Sequence, residues 1–389
     1  MGYRLSEDEA MLQRTVRELG ERELAPLVAQ AERTGVFPRA RVLPRMAELG
    51  LFSIGVPATL GGVGGTSLML CLVAEEVARV CGGFAIAVMP SVLAPAAVVR
   101  MGGSGGPALR ALMTGEILAA MAFTEPGAGS DLMNLQTTVT GTANGLVLNG
   151  AKTFISNGPT ADVYVVAAIR AEFFERPRAE RGPGFGVYVV PRGAPGLMVG
   201  RPIAKLGMRS SETGELAFEN VAVAGTASDA ARSPGGGGFR GMMALLDFNR
   251  LYIAALSIGI AEAAFEASLR WVKERVAFDR PIGHHQATGF KVARMAVDLD
   301  AARALVQRAC ELYDAGARCT REISAAKLFA TEAAVRITND AVQIHGGYGY
   351  VDELPVERYL RDARVGTIWE GTSEIQQQII CRELGLYES

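Results

Sequence analysis

A long apolar stretch organises the C-terminal half of this chain: Arg250-Leu-Tyr-Ile-Ala-Ala-Leu-Ser-Ile-Gly-Ile-Ala-Glu-Ala-Ala-Phe-Glu-Ala-Ser-Leu-Arg-Trp-Val-Lys-Glu-Arg-Val276. We predict that it forms one helix. Its first half is apolar nearly all the way round, whereas a helix on a protein surface carries its apolar residues on one face. The pattern therefore indicates a helix buried on all sides, as in the middle of a bundle. Further helices are predicted at residues 286–315, 320–345 and 372–384.

The residues that precede this stretch change their pattern. Ser6, followed three residues later by Glu9, is a capping box, and helical patterning continues from there to about residue 119. From residue 120 to about 228 the helical period gives way to alternating and β-branched segments, which favour strands. The predicted strands lie at residues 137–142, 146–148, 163–169, 185–190 and 216–223.

These changes predict an α+β fold that is mainly α and divided into three domains. An N-terminal helical domain would cover residues 1–119, and a β-domain would cover residues 120–232. A C-terminal helical bundle would cover residues 233–389, beginning with a flexible Gly-rich joint at 233–239.

No segment is predicted to cross a membrane. The run that comes nearest, Val80–Val99, is interrupted by Gly82, Gly83, Pro90 and Pro95, whereas a spanning helix needs about 20 continuous apolar residues. We predict buried helix pieces there. The acidic N-terminus lacks an apolar run and is unlike a signal or transit peptide, which favours a cytoplasmic protein.

The composition is ordinary for a globular protein of two or three domains. Of 389 residues, 49% are hydrophobic and 21% are charged, which is enough to bury a large core. A net charge of −2 argues against nucleic acid or an anionic membrane surface as a partner. Five scattered cysteines without a CxxC pair are typical of reduced thiols, and the sparse histidines and cysteines predict no metal site.

Glu370 is the most informative polar residue. It stands in Thr367-Ile-Trp-Glu-Gly-Thr-Ser-Glu374, where Gly-Thr-Ser permits an open loop and Thr372 or Ser373 can cap the helix that follows. A carboxylate beside such a loop, in a pocket, can abstract a proton from carbon. Taken alone, a charged loop residue is more often a plain surface acid.

Four further segments decide between these interpretations. They are Ala122-Phe-Thr-Glu-Pro-Gly-Ala-Gly-Ser-Asp131, Asn149-Gly-Ala-Lys-Thr-Phe-Ile-Ser-Asn-Gly158, Arg275-Val-Ala-Phe-Asp-Arg-Pro-Ile-Gly-His-His-Gln286 and Gln343-Ile-His-Gly-Gly-Tyr-Gly-Tyr350. With the Glu370 segment, they resemble the acyl-CoA dehydrogenase family of flavoproteins. Each alone would be weak, but together they follow the family's order and spacing over nearly the whole chain. The resemblance implies a barrel-like β-domain, a C-terminal four-helix bundle and FAD as cofactor.

The resemblance implies that one set of residues surrounds the flavin ring. Phe123 and Thr124 would lie along the flavin edge, with Thr124 bonding the ring. Phe154 would cover one side of the ring, where the family often has Trp, and Ser156 would bond near flavin N5. Gly129 would let the backbone approach a ligand closely, and Ser130 beside it is also implied to contact the cofactor.

A second set is implied to bind the pyrophosphate and adenosine of an FAD held by a neighbouring subunit. Arginine suits a pyrophosphate because it is always charged and forms paired hydrogen bonds. Asp279 stands where the family usually has Gly, and an acid there would repel phosphate unless Arg280 compensates. The set comprises Arg275, Phe278, Ile282, His285, Gln286, Gln343, Gly346 and Gly347. Thr372 and, loosely, Glu374 match the family's adenine-side positions after Glu370.

The resemblance also implies the chemistry. Glu370 would remove the α-proton of an acyl-CoA thioester as a general base, while a hydride leaves the β-carbon for flavin N5. The Glu370 backbone N–H and a flavin ribityl hydroxyl would polarise the thioester carbonyl, and burial would raise the pKa of Glu370. Asn249, at the base position of some family members, cannot act as a base. The residues implied to contact the substrate are Ser130, Asp247, Arg250, Glu370 and Gly371.

The implied function is FAD-dependent α,β-dehydrogenation of an acyl-CoA to the trans-2-enoyl-CoA, with electrons passed to an electron-transfer flavoprotein. A carrier-protein thioester, an oxygen-using acyl-CoA oxidase or a flavin monooxygenase stay open as alternatives, and a non-catalytic binder is disfavoured by Glu370. Because two chains would share each FAD, we expect an obligate dimer within a homotetramer, a dimer of dimers. The acyl pocket is expected around Glu75–Val99, where Gly82 and Gly83 would leave room without selecting an acyl group.

Overall fold

The computed structural model describes residues 4–100, 107–143, 145–223 and 238–387. Helices precede and follow a sheet that the middle of the chain forms, so the predicted α+β, mainly α class is confirmed. The predicted boundary between residues 232 and 233, and most of the predicted joint at 233–239, lie outside the described residues.

The N-terminal region consists of helices that pack on one another and on the C-terminal helices. They are α1 (Glu7–Leu19), α2 (Ala25–Thr34), α3 (Arg39–Glu48), α4 (Ser67–Val80), α5 (Gly82–Arg100) and α6 (Pro107–Met113). The capping box is confirmed, because Ser6 Oγ accepts from the Glu9 N–H and the Glu9 carboxylate accepts from the Ser6 N–H. A π-helical turn over Gly20–Leu24 joins α1 to α2.

The run Val80–Val99 is largely buried, as predicted, but from Gly82 onward it forms one helix rather than several pieces. α5 continues through Pro90 and Pro95, although an interior proline loses one backbone hydrogen bond and crowds the preceding turn. Every residue from Gly82 to Leu93 is buried. Tertiary burial of so many apolar side chains outweighs the local cost of the prolines.

The middle region forms a seven-stranded sheet. Its order is β1-β4-β2-β3-β7-β6, and β5 also pairs with β4. The strands are β1 (Ala119–Ala122), β2 (Thr138–Thr142), β3 (Gly145–Ser156), β4 (Val163–Arg170), β5 (Phe185–Pro191), β6 (Leu197–Val199) and β7 (Thr213–Val223), with a short helix α7 (Ala171–Phe174) after β4. The sequence prediction missed β1 and β6, because strands of 4 and 3 residues are too short to establish a period.

A β-bulge in β3 turns one aromatic side chain outward. The pairing of β3 with β7 shifts register between Lys152 and Ile155, which adds a residue to the β3 side of the ladder. Phe154, at the bulge, has a left-handed φ of 58°, and its side chain is 66% exposed. The ring is therefore available to a ligand or to another chain.

The C-terminal region is organised by α8 (Phe239–Glu274). It begins before the predicted Arg250, and every residue from Phe248 to Ala261 is buried, which confirms the predicted central helix. By length and composition α8 could cross a membrane, but 78% of its apolar window is buried within the protein, as in a core helix. The remaining helices are α9 (Gln286–Asp314), α10 (Thr320–His345), α11 (Gly347–Tyr350), α12 (Val356–Ala363) and α13 (Ser373–Glu383). α8, α9 and α10 pack together, and α13 packs on α10, which gives the four-helix arrangement.

An ion pair is buried where the sheet begins. Lys152 Nζ donates to Glu125 Oε1 (2.8 Å) and to the Phe123 carbonyl (3.0 Å), and both charged side chains are almost completely excluded from solvent. The Glu125 carboxylate also accepts from the N–H groups of Gln136 (2.6 Å) and Thr137 (3.0 Å). The pair therefore fastens the loop after β1 to β3 and to the start of β2.

Removing one partner of this pair is expected to destabilise the protein strongly. In Lys152→Met the Glu125 carboxylate stays buried without its cation, which lowers the free energy of unfolding by about 3–5 kcal/mol. The double variant Lys152→Met/Glu125→Gln buries no charge at this place, so its free energy of unfolding should fall clearly less than that of Lys152→Met. Chemical denaturation followed by circular dichroism measures both losses, and equal losses in the two variants would contradict this account of the pair.

Candidate active site

Glu370 lies in a tight loop that precedes α13. Glu370 and Gly371 both have left-handed backbone conformations, with φ values of 50° and 87°. Glycine adopts such a φ freely, but for a glutamate it costs about 1–2 kcal/mol. Thr372 then caps α13, since its Oγ1 accepts from the Ile375 N–H at 3.3 Å, which confirms the predicted cap. The conformation of Glu370 must therefore be held by its surroundings.

Donors from three helices hold the carbonyl groups of this loop. Arg250 Nε of α8 donates to the Glu370 carbonyl (3.3 Å). Gln376 Nε2 of α13 donates to the same carbonyl (3.2 Å) and to the Gly371 carbonyl (3.0 Å). Lys327 Nζ of α10 donates to the Gly371 carbonyl at 2.6 Å. Sequence reasoning missed Lys327 and Gln376; the available signal was a lysine on an otherwise apolar helix face.

The Glu370 side chain lies half-buried beside this cluster. Its Oε2 atom is buried, and no hydrogen-bond partner for it is found in the described part of the chain. Burial raises the pKa of Glu370, while the Arg250 charge, the Asn249 amide and the Lys327 charge act against the rise. A raised pKa makes the ionised carboxylate a stronger base than an exposed glutamate.

Asp247 and Arg250, predicted to contact the substrate, lie in the same cluster. Arg250 Nη1 donates to Asp247 Oδ1 (2.5 Å), and Thr320 Oγ1 donates to Asp247 Oδ2 (3.0 Å). Burial raises the pKa of Asp247, and the Arg250 charge opposes this. Arg250 thus links Asp247 to the Glu370 carbonyl, so these predicted residues form one connected group.

The residues expected along the flavin edge meet at one end of the sheet. The Thr153 N–H donates to the Thr124 carbonyl at 3.0 Å, which joins the loop after β1 to the bulge that exposes Phe154. This contact brings the two predicted flavin segments side by side. Within this region Phe123 is buried, Thr124 and Ser156 are half-buried, and Gly129, Ser130 and Phe154 are exposed.

Asn157, which sequence reasoning missed, ties this region to α5. It is completely buried and has a left-handed φ of 61°. Its Nδ2 donates to the carbonyls of Ala87 in α5 (2.7 Å) and Ala119 in β1 (2.9 Å). An asparagine before glycine is typical of an exposed turn, so the sequence carried no signal of this burial.

The expected acyl pocket has less room than predicted. A side-chain carbon built on Gly83 would lie 2.2 Å from Ser210 Oγ, and one on Gly82 would lie 3.0 Å from Met208 and Ile260. The two glycines therefore allow α5 to pack closely against its neighbours. The prediction that they leave space for an acyl group is wrong, because other side chains already occupy that space.

The flavin-edge residues and Glu370 are connected through α8. Met121 and Phe123 pack in one apolar cluster with Leu246 of α8. Asn249, on the same helix, has its Nδ2 3.8 Å from Met121 Sδ and its amide acts on the Glu370 carboxylate. The predicted flavin edge and the predicted base therefore belong to one continuous region.

The second predicted set lies at the far end of α8. A cavity of about 610 Å³ there is lined by Arg275, Ile282, Gly346 and Gly347, which the sequence had assigned to one site. Trp271 also lines the cavity and was missed by sequence reasoning. The structure thus unites two segments that are far apart in the chain.

A short hairpin beside this cavity accounts for the unusual Asp279. It consists of β8 (Val276–Ala277) and β9 (Arg280–Pro281). Phe278 and Asp279 at its tip have φ values of 54° and 60°, as a two-residue hairpin turn requires. Asp279 therefore adopts a backbone that suits the glycine of the family pattern. Phe278 is 88% exposed, and the His285 ring lies edge-on to it with centroids 5.8 Å apart.

The two predicted sets are not brought together within one chain. At about 1.5 Å per residue, the part of α8 from Arg250 to Glu274 is roughly 36 Å long. A single dinucleotide cannot contact both ends. Of the remaining predicted residues, Gln286, Gln343 and Glu374 are exposed near the ends of α9, α10 and α13.

Both regions have the chemistry that FAD requires. Arg275 offers a cation, and the backbone of Gly346 and Gly347 is open, since a side-chain carbon on either would meet nothing within 4 Å. At the other region, Phe154 presents an aromatic face and Thr124 a half-buried hydroxyl. The residues present at the two regions therefore fit the two halves of the group.

Comparison with known proteins finds one family that matches all three regions of the chain. Residues 6–105, 120–221 and 236–385 match the N-terminal, middle and C-terminal domains of acyl-CoA dehydrogenase. A probable acyl-CoA dehydrogenase of Bacillus subtilis is 37% identical, covering 99% of this chain and 100% of its own. The acryloyl-CoA reductase (NADH) of Anaerotignum propionicum is 39% identical, covering 99% of this chain and 96% of its own.

A solved structure shares the fold over the same length. Butyryl-CoA dehydrogenase from Megasphaera elsdenii superimposes with a TM-score of 0.88 at 33% identity, covering 99% of this chain and 100% of that chain. The likeness is therefore not confined to one region.

Replacing Glu370 by Gln should change how stability depends on pH. Because the folded state raises the pKa of Glu370, folding favours its protonated form, and the contribution of this group to stability is lost as pH rises through the raised pKa. Gln cannot titrate, so the melting temperature of Glu370→Gln should exceed that of the wild type by more at alkaline than at acidic pH. Glu180→Gln, at an exposed site, controls for the loss of one negative charge. A pH-independent difference for Glu370→Gln would contradict the argument.

Proposed function

The chain belongs to the acyl-CoA dehydrogenase family of oxidoreductases, and on that premise we propose that it dehydrogenates an acyl-CoA thioester to the trans-2-enoyl-CoA, with Glu370 as general base. The observation that supports this role is the Glu370 carboxylate, whose Oε2 atom is buried and whose pKa is raised, next to the expected flavin edge. FAD, which the family uses, would supply the two-electron acceptor when bound.

Glu370 carries out the proton transfer in this proposal. Its ionised carboxylate takes the α-proton, and because burial raises its pKa, it holds that proton more tightly than an exposed glutamate would. Among the described residues the Glu370 N–H meets no protein acceptor. It can therefore donate to the thioester carbonyl and stabilise the negative charge that develops there as the proton leaves.

Asp247 and Arg250 support this geometry without reacting. Arg250 is buried, paired with Asp247 and bonded to the Glu370 carbonyl, so it restrains the loop that carries the base. We propose that the pair also borders the pantetheine of CoA and that Ser130 borders the thioester.

A short acyl group is the first substrate to test. Two similar proteins are named for short acyl groups, butyryl and acryloyl. The reductase among the relatives supports reduction of a 2-enoyl-CoA as the second candidate, because the same residues can return a proton to the α-carbon.

Two partners complete the proposal. An electron-transfer flavoprotein is the proposed electron acceptor. A second copy of this chain is proposed to supply the Arg275 region to each FAD, because the length of α8 separates that region from Glu370 within one chain. A homotetramer would then consist of two such dimers.

Anaerobic addition of acyl-CoA esters to the purified flavoprotein tests the reaction. Butyryl-CoA should bleach the visible flavin absorbance faster than isobutyryl-CoA, octanoyl-CoA or cyclohexanecarbonyl-CoA. Glu370→Gln should slow bleaching by about 100-fold to 10,000-fold, the usual contribution of a general base. Oxidation of the dithionite-reduced enzyme by crotonyl-CoA measures the reverse reaction, the reduction of a 2-enoyl-CoA.

The outcome that overturns the proposal is bound flavin that no CoA ester bleaches. In that case the same panel, presented on a carrier protein or with oxygen consumption monitored, separates the carrier-protein and oxygen-using alternatives.

FAD retention should depend on assembly. If a partner chain supplies Arg275, dilution that dissociates the dimer should release FAD in parallel, as measured by size-exclusion chromatography with flavin and protein absorbance recorded together. Arg275→Met should lower the flavin content of the undiluted protein, whereas Arg382→Met on α13 should not. A monomer that keeps its full complement of FAD would contradict the shared site.

A further inference from the structure

Lys327 is a buried cation that takes no direct part in the proposed proton transfer. It lies in the middle of α10 with a relative exposure of 0%, on a helix face that also buries Ile323, Ala326 and Ala330. A lysine is almost never fully buried unless it is paired, because the ammonium group loses its hydration. Its burial therefore calls for a specific contact.

That contact is the loop of the proposed base. Lys327 Nζ donates to the Gly371 carbonyl at 2.6 Å, which is shorter than the Gln376 and Arg250 contacts to the same loop at 3.0–3.3 Å. No ion pair to Lys327 is found in the part of the chain that the structure describes. The hydrogen-bond partner of the buried ammonium is therefore a backbone carbonyl.

The loop needs such a restraint. Two consecutive left-handed residues, Glu370 and Gly371, set the direction of the peptide group between them. A short bond from a charged donor is stronger than one from a neutral amide. Because α10 is buried in the bundle, Lys327 holds the Gly371 carbonyl from a rigid element that is distinct from α8 and α13.

We propose that Lys327 is a positioning residue for the reaction: by binding the Gly371 carbonyl it holds Glu370 with its carboxylate and backbone N–H aligned on the substrate. The proposal rests on the proposed function of Glu370. It assigns to Lys327 an effect on proton abstraction rather than on cofactor binding or on overall folding.

The charge of Lys327 gives the proposal a pH signature. Burial lowers the pKa of Lys327 to about 8, while Glu370 acts to raise it and Arg250 to lower it. The other charged groups that act on the ammonium are Glu332 of α10 and Glu374 of α13. The charged donor is therefore present below about pH 8 and lost above it. Lys327 also lowers the pKa of Glu370, so its removal should move the acidic limb of the rate profile to higher pH.

The test measures proton abstraction separately from flavin reduction. Enzyme whose flavin has been reduced with dithionite is mixed with butyryl-CoA in D2O, and exchange of the α-hydrogens is followed by NMR. Glu370 takes an α-proton, its carboxyl group exchanges with solvent, and a deuteron returns to the same carbon. Lys327→Met should slow this exchange by about 100-fold, as expected when a reacting group is misplaced by roughly 1 Å.

Matched variants separate positioning from a purely structural role. Lys291→Met, at a half-exposed lysine that pairs with Asp340, should exchange at the wild-type rate. Lys327→Arg keeps a charged donor and should exchange α-hydrogens faster than Lys327→Met. If Lys327→Met does not fold, the exchange rate of Lys327→Arg relative to the wild type tests the positioning role. Flavin content and melting temperature are recorded for every variant, and kcat for butyryl-CoA is recorded from pH 6 to 10.

The outcomes distinguish the two proposals. The role of Lys327 is supported if Lys327→Met exchanges α-hydrogens more slowly per bound flavin than the wild type. Its profile of kcat against pH should also have the acidic limb at higher pH and should lack the decrease near pH 8. A variant with less flavin or a lower melting temperature but a wild-type exchange rate per flavin overturns it. If the wild type neither bleaches nor exchanges with any ester, the proposed function itself fails, and the role of Lys327 falls with it.

Discussion

The burial of α8 on all sides is the constraint on which the rest of the structure depends. A helix that is apolar around its whole circumference must be covered in every direction, and α4, α5, α9, α10 and α12 all pack against it. Helices from both ends of the chain therefore share one apolar core. The same helix places Arg250 beside the Glu370 loop, and Arg275 follows its C-terminal end at the cavity. The length of α8 therefore separates the two halves of the candidate cofactor site.

Several charged side chains are buried in the protein, and four of them restrain two loops that carry candidate site residues. Taking an ion out of water is expensive unless other groups satisfy it. Lys152 and Glu125 satisfy each other beneath the loop after β1, while Arg250 and Lys327 are bonded to the carbonyls of the Glu370 loop. In both places the buried charge restrains irregular backbone that carries candidate site residues. Irregular loops are in this way given the rigidity that helices and strands have from their own hydrogen bonds.

Sequence reasoning succeeded where the information is local. The all-round apolar pattern identified α8, the helix at Thr320–His345 agrees with its prediction, and the Thr372 cap was visible beside Glu370. It failed where a local rule was outweighed by packing. The prolines of α5 did not break the helix, and Gly82 and Gly83 proved to be sites of close packing rather than of open space.

The sequence by itself determined the order of helices and sheet, the caps, and the segments that carry Glu370 and the candidate cofactor residues, because periodicity and motif spacing are properties of neighbouring residues. Only the tertiary structure decided that Lys327, Gln376 and Arg250 converge on the Glu370 loop, that Asn157 joins three elements, and that the two cofactor sets lie at opposite ends of α8. A pattern along the chain shows which face of an element is apolar. Which distant residue that face meets depends on how whole elements pack, and no local pattern encodes it.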